Sequence, residues 1–258
     1  GFTRWLADRH KMHYDPLRGI KPPSPEADRK LVRRMLLPAE WRWLREATLN
    51  SECYGLSGRE RVLIYETAIQ TGLRCKEIAS LTVGKLVREG ETPHIICKAA
   101  GTKNRKQARQ YIDKNLAAEI KLHTAGRKGS DAVFAIPVWD TAEMIQMDLA
   151  QARSEWEAAG GDKSDSDFLI HQNSESEVLD FHALRHTCGA WLAIANEHPK
   201  VIQTIMRHST ITLTMDAYGH LFPGSEAAAV VTLAKVMRDA ALVPNMVPKQ
   251  KSGKKAAS

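Results

Sequence analysis

The 258-residue chain is expected to fold as a mainly α-helical protein with a small antiparallel β-sheet, an α+β architecture. Three observations carry this expectation. Apolar residues recur at three- and four-residue spacing in segment after segment, as the buried face of a helix requires. One clear stretch, "HIICKAAGTKNRKQARQYID", changes to an extended pattern broken by a basic turn. Hydrophobic residues make up 43% and charged residues 26% of the chain, which suits a substantial buried core and argues against disorder.

The elements follow in order. Phe2, Trp5 and Leu6 in "FTRWLA" stand at helical spacing, so a short terminal helix is expected. Pro16, Pro22, Pro23 and Pro25 then rule out regular helix, and the segment reads as a linker. Pro38 opens "PAEWRWLREAT" at a first-turn position, with Trp41 and Leu44 on one side. Ser57-Gly58-Arg59-Glu60 has the form of a capping box before Val62, Leu63, Tyr65 and Ile69, and Gly72 suits a left-handed helix end. Arg74 begins the next helical stretch, "LRCKEIASL". Residues Ile95 to Cys97 and Gln110 to Ile112 form the two strands of a hairpin. From Asp113 to Ser166 the pattern is mainly helical with polar loops, with "AVFAI" as a candidate short strand. Asp180 is placed as the N-cap of "FHALRHTCGAWLAIA", in which Leu184, Cys188, Trp191, Leu192 and Ala195 form a buried stripe. The segment "SEAAAVVTLAKVMRDAAL" is an amphipathic helix with Val230, Leu233, Ala234, Met237 and Ala241 on one face, stopped before Pro244. "KQKSGKKAAS" reads as a disordered basic tail.

The formal net charge is +7 and the isoelectric point about 9.2, which favours a polyanionic partner. No apolar run approaches the roughly 20 residues of a membrane span, and the N-terminus lacks a secretory signal, so a soluble, cytoplasmic protein without a membrane partner is expected. Cys53, Cys75, Cys97 and Cys188 are spread without paired spacing, which indicates buried thiols in a reducing compartment rather than disulfides or a metal site. The chain starts at Gly1 rather than Met, which is compatible with a fragment or a processed chain.

Four separated places put polar groups at structural boundaries: Arg74 after a helix-ending glycine, Lys103 in the hairpin turn, His182 with Arg185 near a helix start, and His208 upstream of Tyr218. Each alone is ordinary. An arginine or turn lysine is usually a solvated cation, a histidine a satisfied structural residue, and a tyrosine at a helix end a half-buried packing residue. Taken together and in this order, "TGLRCKEIASL", "GTKNRKQARQYI", "DFHALRHTCGAWLA" and "MRHSTITLTMDAYGHLF" resemble the tyrosine recombinase (phage-type integrase) family.

The resemblance implies the family's catalytic-domain fold and a site-specific DNA recombinase or integrase that cleaves and rejoins strands through a 3′-phosphotyrosine. It carries Arg74 and Arg185 over as the catalytic arginines, Lys103 as the hairpin lysine, His182 as the first histidine of the His-x-x-Arg pair, His208 as the third-box histidine and Tyr218 as the nucleophile. Lys98 and Lys106 flank the same turn as Lys103 and remain alternatives to it. Arg105, Lys106, Arg109 and Arg207 are expected to contact DNA. The implied organisation has the end of a truncated core-binding domain over 1–20, a linker over 21–37, a catalytic domain over 38–222, an amphipathic helix over 223–244 and a basic tail over 245–258. Implied partners are double-stranded DNA, a homotetramer on two duplexes, and accessory DNA-bending or directionality proteins in a nucleoid-associated setting. Met206 and Arg207 stand where the family commonly has Leu-Gly, which allows a different backbone or an extra phosphate contact. A type IB topoisomerase and a catalytically silent DNA-binding regulator are the alternatives.

The chemistry accounts for these residue types. Attack on an anionic phosphodiester builds charge on non-bridging oxygens, so fixed positive groups are needed. Arginine stays protonated and offers a planar fork to two oxygens at once. His182, three residues before Arg185, shares its helix face. A phenol is protonated at neutral pH and needs an acceptor or a strong positive field to act as a nucleophile. His182 is the candidate base, His208 a donor to phosphate, and Lys103 the acid for the departing 5′-oxygen. The phosphotyrosyl bond conserves the ester, so no cofactor and no metal is required.

Overall fold

The computed structural model describes residues 1–20, 31–97, 108–224 and 226–241. In chain order the elements are α1 (Phe2–Asp8), α2 (Pro38–Leu49), β1 (Glu52–Cys53), β2 (Leu56–Ser57), α3 (Gly58–Thr71), α4 (Cys75–Ala79), β3 (Leu86–Val87) and β4 (His94–Cys97). They continue with β5 (Ala108–Tyr111), α5 (Lys114–His123), α6 (Thr141–Ala158), α7 (Phe181–Ile194), α8 (Pro199–Met206), α9 (Ile211–Tyr218) and α10 (Glu226–Ala241). The helical protein with small antiparallel sheets matches the fold class expected from the sequence. The described residues divide into two compact units, one within Gly1–Val62 and Ile136–Leu184, the other within Leu63–Ala135 and Arg185–Ser258.

In the first unit, α2 packs along α6. Leu44 and Ala47 are buried on one helix, and Met144, Ile145, Leu149 and Ala152 on the other. Pro38 is the first residue of α2, where its missing N–H costs nothing, and Glu40 reaches back to accept the Leu37 N–H at 2.8 Å. Residues 31–37 of the expected linker are extended and tied down. Arg33 forks onto Asp180 at 2.7–2.9 Å, Arg34 pairs with Glu40 at 2.8 Å, and Leu36 is fully buried. Asp180 also accepts the Ala183 N–H at 2.9 Å, the N-cap bond its position suggested. Ser57 accepts the Glu60 N–H at 3.2 Å, one half of the capping box. Tyr54 and Gly55 both take positive φ, 52° and 70°, the geometry of a primed turn, and join β1 to β2. Arg61 and Asp148 form a buried fork through Nε and Nη2 with both contacts at 3.0 Å; Nη2 also donates to Ser51 Oγ, and Nη1 reaches Leu56 O. A hydrogen-bond partner for each of the three guanidinium nitrogens is what makes such a pair tolerable in a core.

In the second unit, β3, β4 and β5 form an antiparallel sheet, with Ile95 opposite Leu86 and Gln110, and Ile96 opposite Arg109. Ile95, Cys97 and Gln110 face inward. Asp113 caps α5 through the N–H groups of Asn115 and Leu116 at 2.6 and 3.1 Å. The hairpin strands lie within one to two residues of their expected limits, whereas the turn between them, with Lys98, Lys103, Arg105 and Lys106, lies outside the described residues, as do residues 21–30, Ser225 and the tail from 242.

Two expectations need correction. "AVFAI" is not a strand: Ala132 makes a single antiparallel bridge to Thr82 and Val133 donates to Leu81 O at 3.0 Å. Pro137, without an N–H, follows directly and gives no further ladder bond. The stripe on α7 is also displaced. Leu184 and Cys188 are buried, but Trp191 and Leu192 are only half-buried and Ala195 is exposed. Burial passes instead through Thr187, Gly189, Ala190 and Ala193, because small side chains let neighbouring chain approach closely and large ones are left at the margin.

Along α10 the expected amphipathic face is present but uncovered: Val230, Leu233 and Met237 are 63%, 58% and 66% exposed. Cys53, Cys97 and Cys188 are buried and Cys75 is half-buried, all as free thiols. Among the described residues no helix is long and apolar enough to cross a membrane.

Candidate active site

The end of α3 starts the site. Gly72 takes φ 59°, and a Cβ there would stand 3.0 Å from Met206 Sδ and 3.4 Å from Cys188 Sγ, so both the backbone and the space require glycine. The turn delivers Arg74 to the N-terminus of α4, where its N–H is accepted by Glu77 at 2.8 Å and its guanidinium stays part-exposed.

Arg185 enters the same region from α7. It is 4% exposed and donates Nη1 to Gly72 O and Nη2 to Met206 O, so one side chain ties together the ends of α3 and α8. Burial, then the charges of Arg74 and Arg207, pull it down to about 10, which still leaves it cationic at neutral pH. Gln110 of β5 supports the same corner by donating to Thr71 O at 2.9 Å and Ile205 O at 2.8 Å.

His208 follows α8, which begins at Pro199 and ends at Arg207 in the left-handed conformation, φ 53° and ψ 41°. Its backbone is bracketed by Gln203, which accepts its N–H at 3.0 Å and donates Nε2 to its carbonyl at 3.2 Å. Its Nδ1 lies 2.9 Å from Thr214 Oγ1. Burial, then Arg185 and Arg74, depress the imidazole to about 4, so the ring is neutral at pH 7.

Tyr218 ends α9 and is 3% exposed. Its ring stacks on His208 at 6.4 Å between centroids and 8° between planes, with His186 at 5.1 Å on a tilted plane. The phenol lies against Gly189, where a Cβ would stand 2.3 Å from Tyr218 Cζ and 2.6 Å from its hydroxyl. Burial raises the hydroxyl to about 12 against the pull of Arg185, so about one phenol in 10⁵ is ionised at pH 7.

Four of the six residues singled out for catalysis, Arg74, Arg185, His208 and Tyr218, therefore share one electrostatic neighbourhood in the second unit. His182 is exposed on the first turn of α7, among the residues of the first unit. Lys103 lies outside the described residues. Of the expected DNA contacts, Arg109 is exposed on β5, and Arg207 is half-buried on Glu77. Sequence reading missed Glu77, Gln110, Gln203, Thr214, His186 and Gly189. For Glu77 the Arg-x-x-Glu spacing of a helix start was an available signal; Gln203 and Thr214 bond His208 from only five and six residues away, whereas Gln110, His186 and Gly189 depend on partners distant in the chain.

His208 gives a pH prediction with a definite sign. A ring held neutral down to about pH 4 in the fold and titrating near 6.5 when unfolded favours the fold fully above pH 6.5. That contribution falls as pH drops from 6.5 toward about 4. Thermal melts should show wild type losing more stability than His208→Gln over this window, and equal losses would contradict the burial argument.

Residues 46–224 match the model of the phage integrase family. The chain belongs to that family. Tyrosine recombinase XerC of Neisseria meningitidis serogroup B is 25% identical over 214 residues, covering 81% of this chain and 62% of that protein. The chain thus spans about 62% of the length of the curated relatives it matches. Among solved structures, the Tn1549 transposon integrase in complex with a circular intermediate DNA superposes with a TM-score of 0.56 at 18% identity, over 90% of this chain and 74% of that one. The catalytic domain of bacteriophage HP1 integrase gives 0.53 at 21%, over 78% and 94%. XerH bound to its difH substrate gives 0.56 at 13%, over 81% and 55%. At these identities the likeness is one of fold, and the fold is that of tyrosine recombinase catalytic domains.

Proposed function

We propose that this integrase-family chain is a site-specific DNA recombinase that cleaves and rejoins strands through a 3′-phosphotyrosine at Tyr218. The observation that carries the reading is the juxtaposition of a buried phenol, a neutral imidazole and two guanidinium groups from four separate segments. Arg74 and Arg185 grip the non-bridging oxygens of one phosphate. His208, neutral and accepting the Thr214 hydroxyl at Nδ1, offers Nε2–H to the same phosphate. Tyr218 Oη attacks phosphorus, its proton passes to His182, and the bond from phosphorus to the 5′-oxygen breaks as Lys103 protonates the leaving group. A 5′-hydroxyl from another strand then reverses the sequence.

Support for DNA as the partner comes from the +7 charge, from Arg109 exposed on β5, and from fold relatives solved on DNA. Arg105 and Lys106, four and three residues before Arg109 in the sequence, add to the positive charge of that stretch. Their neutralisation of phosphates makes binding fall steeply with salt. The uncovered face of α10 suits docking on a neighbouring protomer, within a tetramer on two duplexes. Ending the chain after Phe222 should then weaken assembly on DNA by about tenfold or more in gel-shift titrations while leaving the monomer's melting temperature within a few degrees. Unchanged assembly would remove that part of the proposal.

The test of the reading is trapping on nicked suicide duplexes, drawn from a pool randomised around the cleavage position. A protein–DNA adduct that survives detergent is expected. Plasmid relaxation without strand exchange would instead favour a topoisomerase, and DNA binding without any adduct a silent regulator.

A further inference from the structure

A buried carboxylate sits between two of the arginines. Glu77, 7% exposed on α4, accepts the Arg74 N–H at 2.8 Å and the Arg207 guanidinium on Oε2, while its Oε1 is 3.5 Å from Arg74 Nη1. The two arginines stand differently to it. The Arg207 side chain is 11% exposed and makes the close contact, whereas that of Arg74 is 37% exposed and makes the long one.

Arg207 occupies a left-handed backbone position that glycine adopts without strain and arginine does not. An arginine kept there gives up backbone ease, and what the chain gains is a guanidinium on Glu77. Without it, the carboxylate would have Arg74 as its nearest cation, and a carboxylate and a guanidinium close into a two-point pair when nothing competes. Such a pair uses the same guanidinium edge that a phosphate needs.

We propose that Arg207 is a positioning residue: it takes the Glu77 carboxylate as its own partner and so leaves the Arg74 guanidinium open to a phosphate. This rests on the recombinase reading for its purpose and on the geometry of Glu77 for its content. It replaces direct DNA contact as the role of Arg207. The state of Glu77 agrees. Burial alone would raise its carboxyl, but the Arg207 hydrogen bond, the Arg74 N–H and the two guanidinium charges outweigh burial and hold it below the ordinary carboxylate range.

The test uses the full chain, labelled with ¹⁵N, and inorganic phosphate as the probe, read at the Arg74 Nε–Hε resonance. Arg207→Gly, which also relaxes the backbone, should weaken phosphate binding about five- to tenfold, and Arg207→Lys should remain closer to wild type. Adding Glu77→Gln to Arg207→Gly should restore the affinity to within about twofold of Glu77→Gln alone. Wild-type affinity in Arg207→Gly, or no phosphate response at Arg74 in the wild type, would overturn the proposal. So would a loss that persists in the double variant, which would make Arg207 a phosphate ligand. None of these readings depends on turnover, so failure to trap an adduct on nicked DNA counts against the recombinase reading alone.

Discussion

Tyr218→Phe is expected to leave a folded protein that still binds DNA and to lower covalent adduct formation by on the order of 10⁴-fold or more. The ring survives in phenylalanine, and with it the stacking on His208 and the fit against Gly189. Only the hydroxyl is lost. In its buried setting, with the phenol raised to about 12, that hydroxyl is a poor nucleophile until a base and the guanidinium field act on it together. Stability should change by no more than about 1 kcal/mol, and DNA affinity by less than about threefold, since binding rests on cations. Gel shifts, melts and denaturing gels separate the three quantities. A variant that still yields a detergent-resistant adduct removes Tyr218 from the proposed role.

Arg185→Ala is expected to damage both the fold and the chemistry. The side chain is buried and satisfies two carbonyls, Gly72 O and Met206 O, that lie at the ends of different helices. Truncation orphans both and leaves a cavity, at a cost of about 3 kcal/mol or more. Arg185→Lys separates the effects. A lysine keeps one charge but cannot fork to two carbonyls and a phosphate together, so adduct formation should fall by about 10² to 10³ while the fold largely survives. Chemical denaturation and single-turnover trapping measure the two losses. Full adduct formation in Arg185→Lys would show that the planar fork is dispensable.

The legible parts of this chain were those set by local rules. Pro38, Asp180 and Gly72 mark helix ends because the constraint at each lies in the residue itself. The β4 and β5 strands were visible because residues 94–97 and 108–111 change period around a basic turn. Arg74, Arg185, His208 and Tyr218 were found only as a set, through the resemblance of their stretches to the tyrosine recombinase family. What stayed hidden depends on contacts between distant segments. Nothing in "TCGAW" announces that Gly189 makes room for a phenol from α9. The α7 stripe was misplaced at its C-terminal end, where Trp191 and Leu192 were assumed to be the buried residues, while Ala190 and Ala193 are fully covered. Arg207 was read as a DNA contact, and its pairing with Glu77 stayed hidden because the two are 130 residues apart. The primed turn at Tyr54 and Gly55 was missed because its strands are two residues each, too short for any period to show.

The most direct measurement is peptide mapping of the trapped complex: digestion of the adduct formed on a nicked duplex, followed by mass spectrometry of the nucleotide-bearing peptide. The account expects a single modified peptide, with the 3′-phosphate on the hydroxyl of Tyr218. Attachment at any other residue, such as Tyr54 or Tyr111, would contradict it.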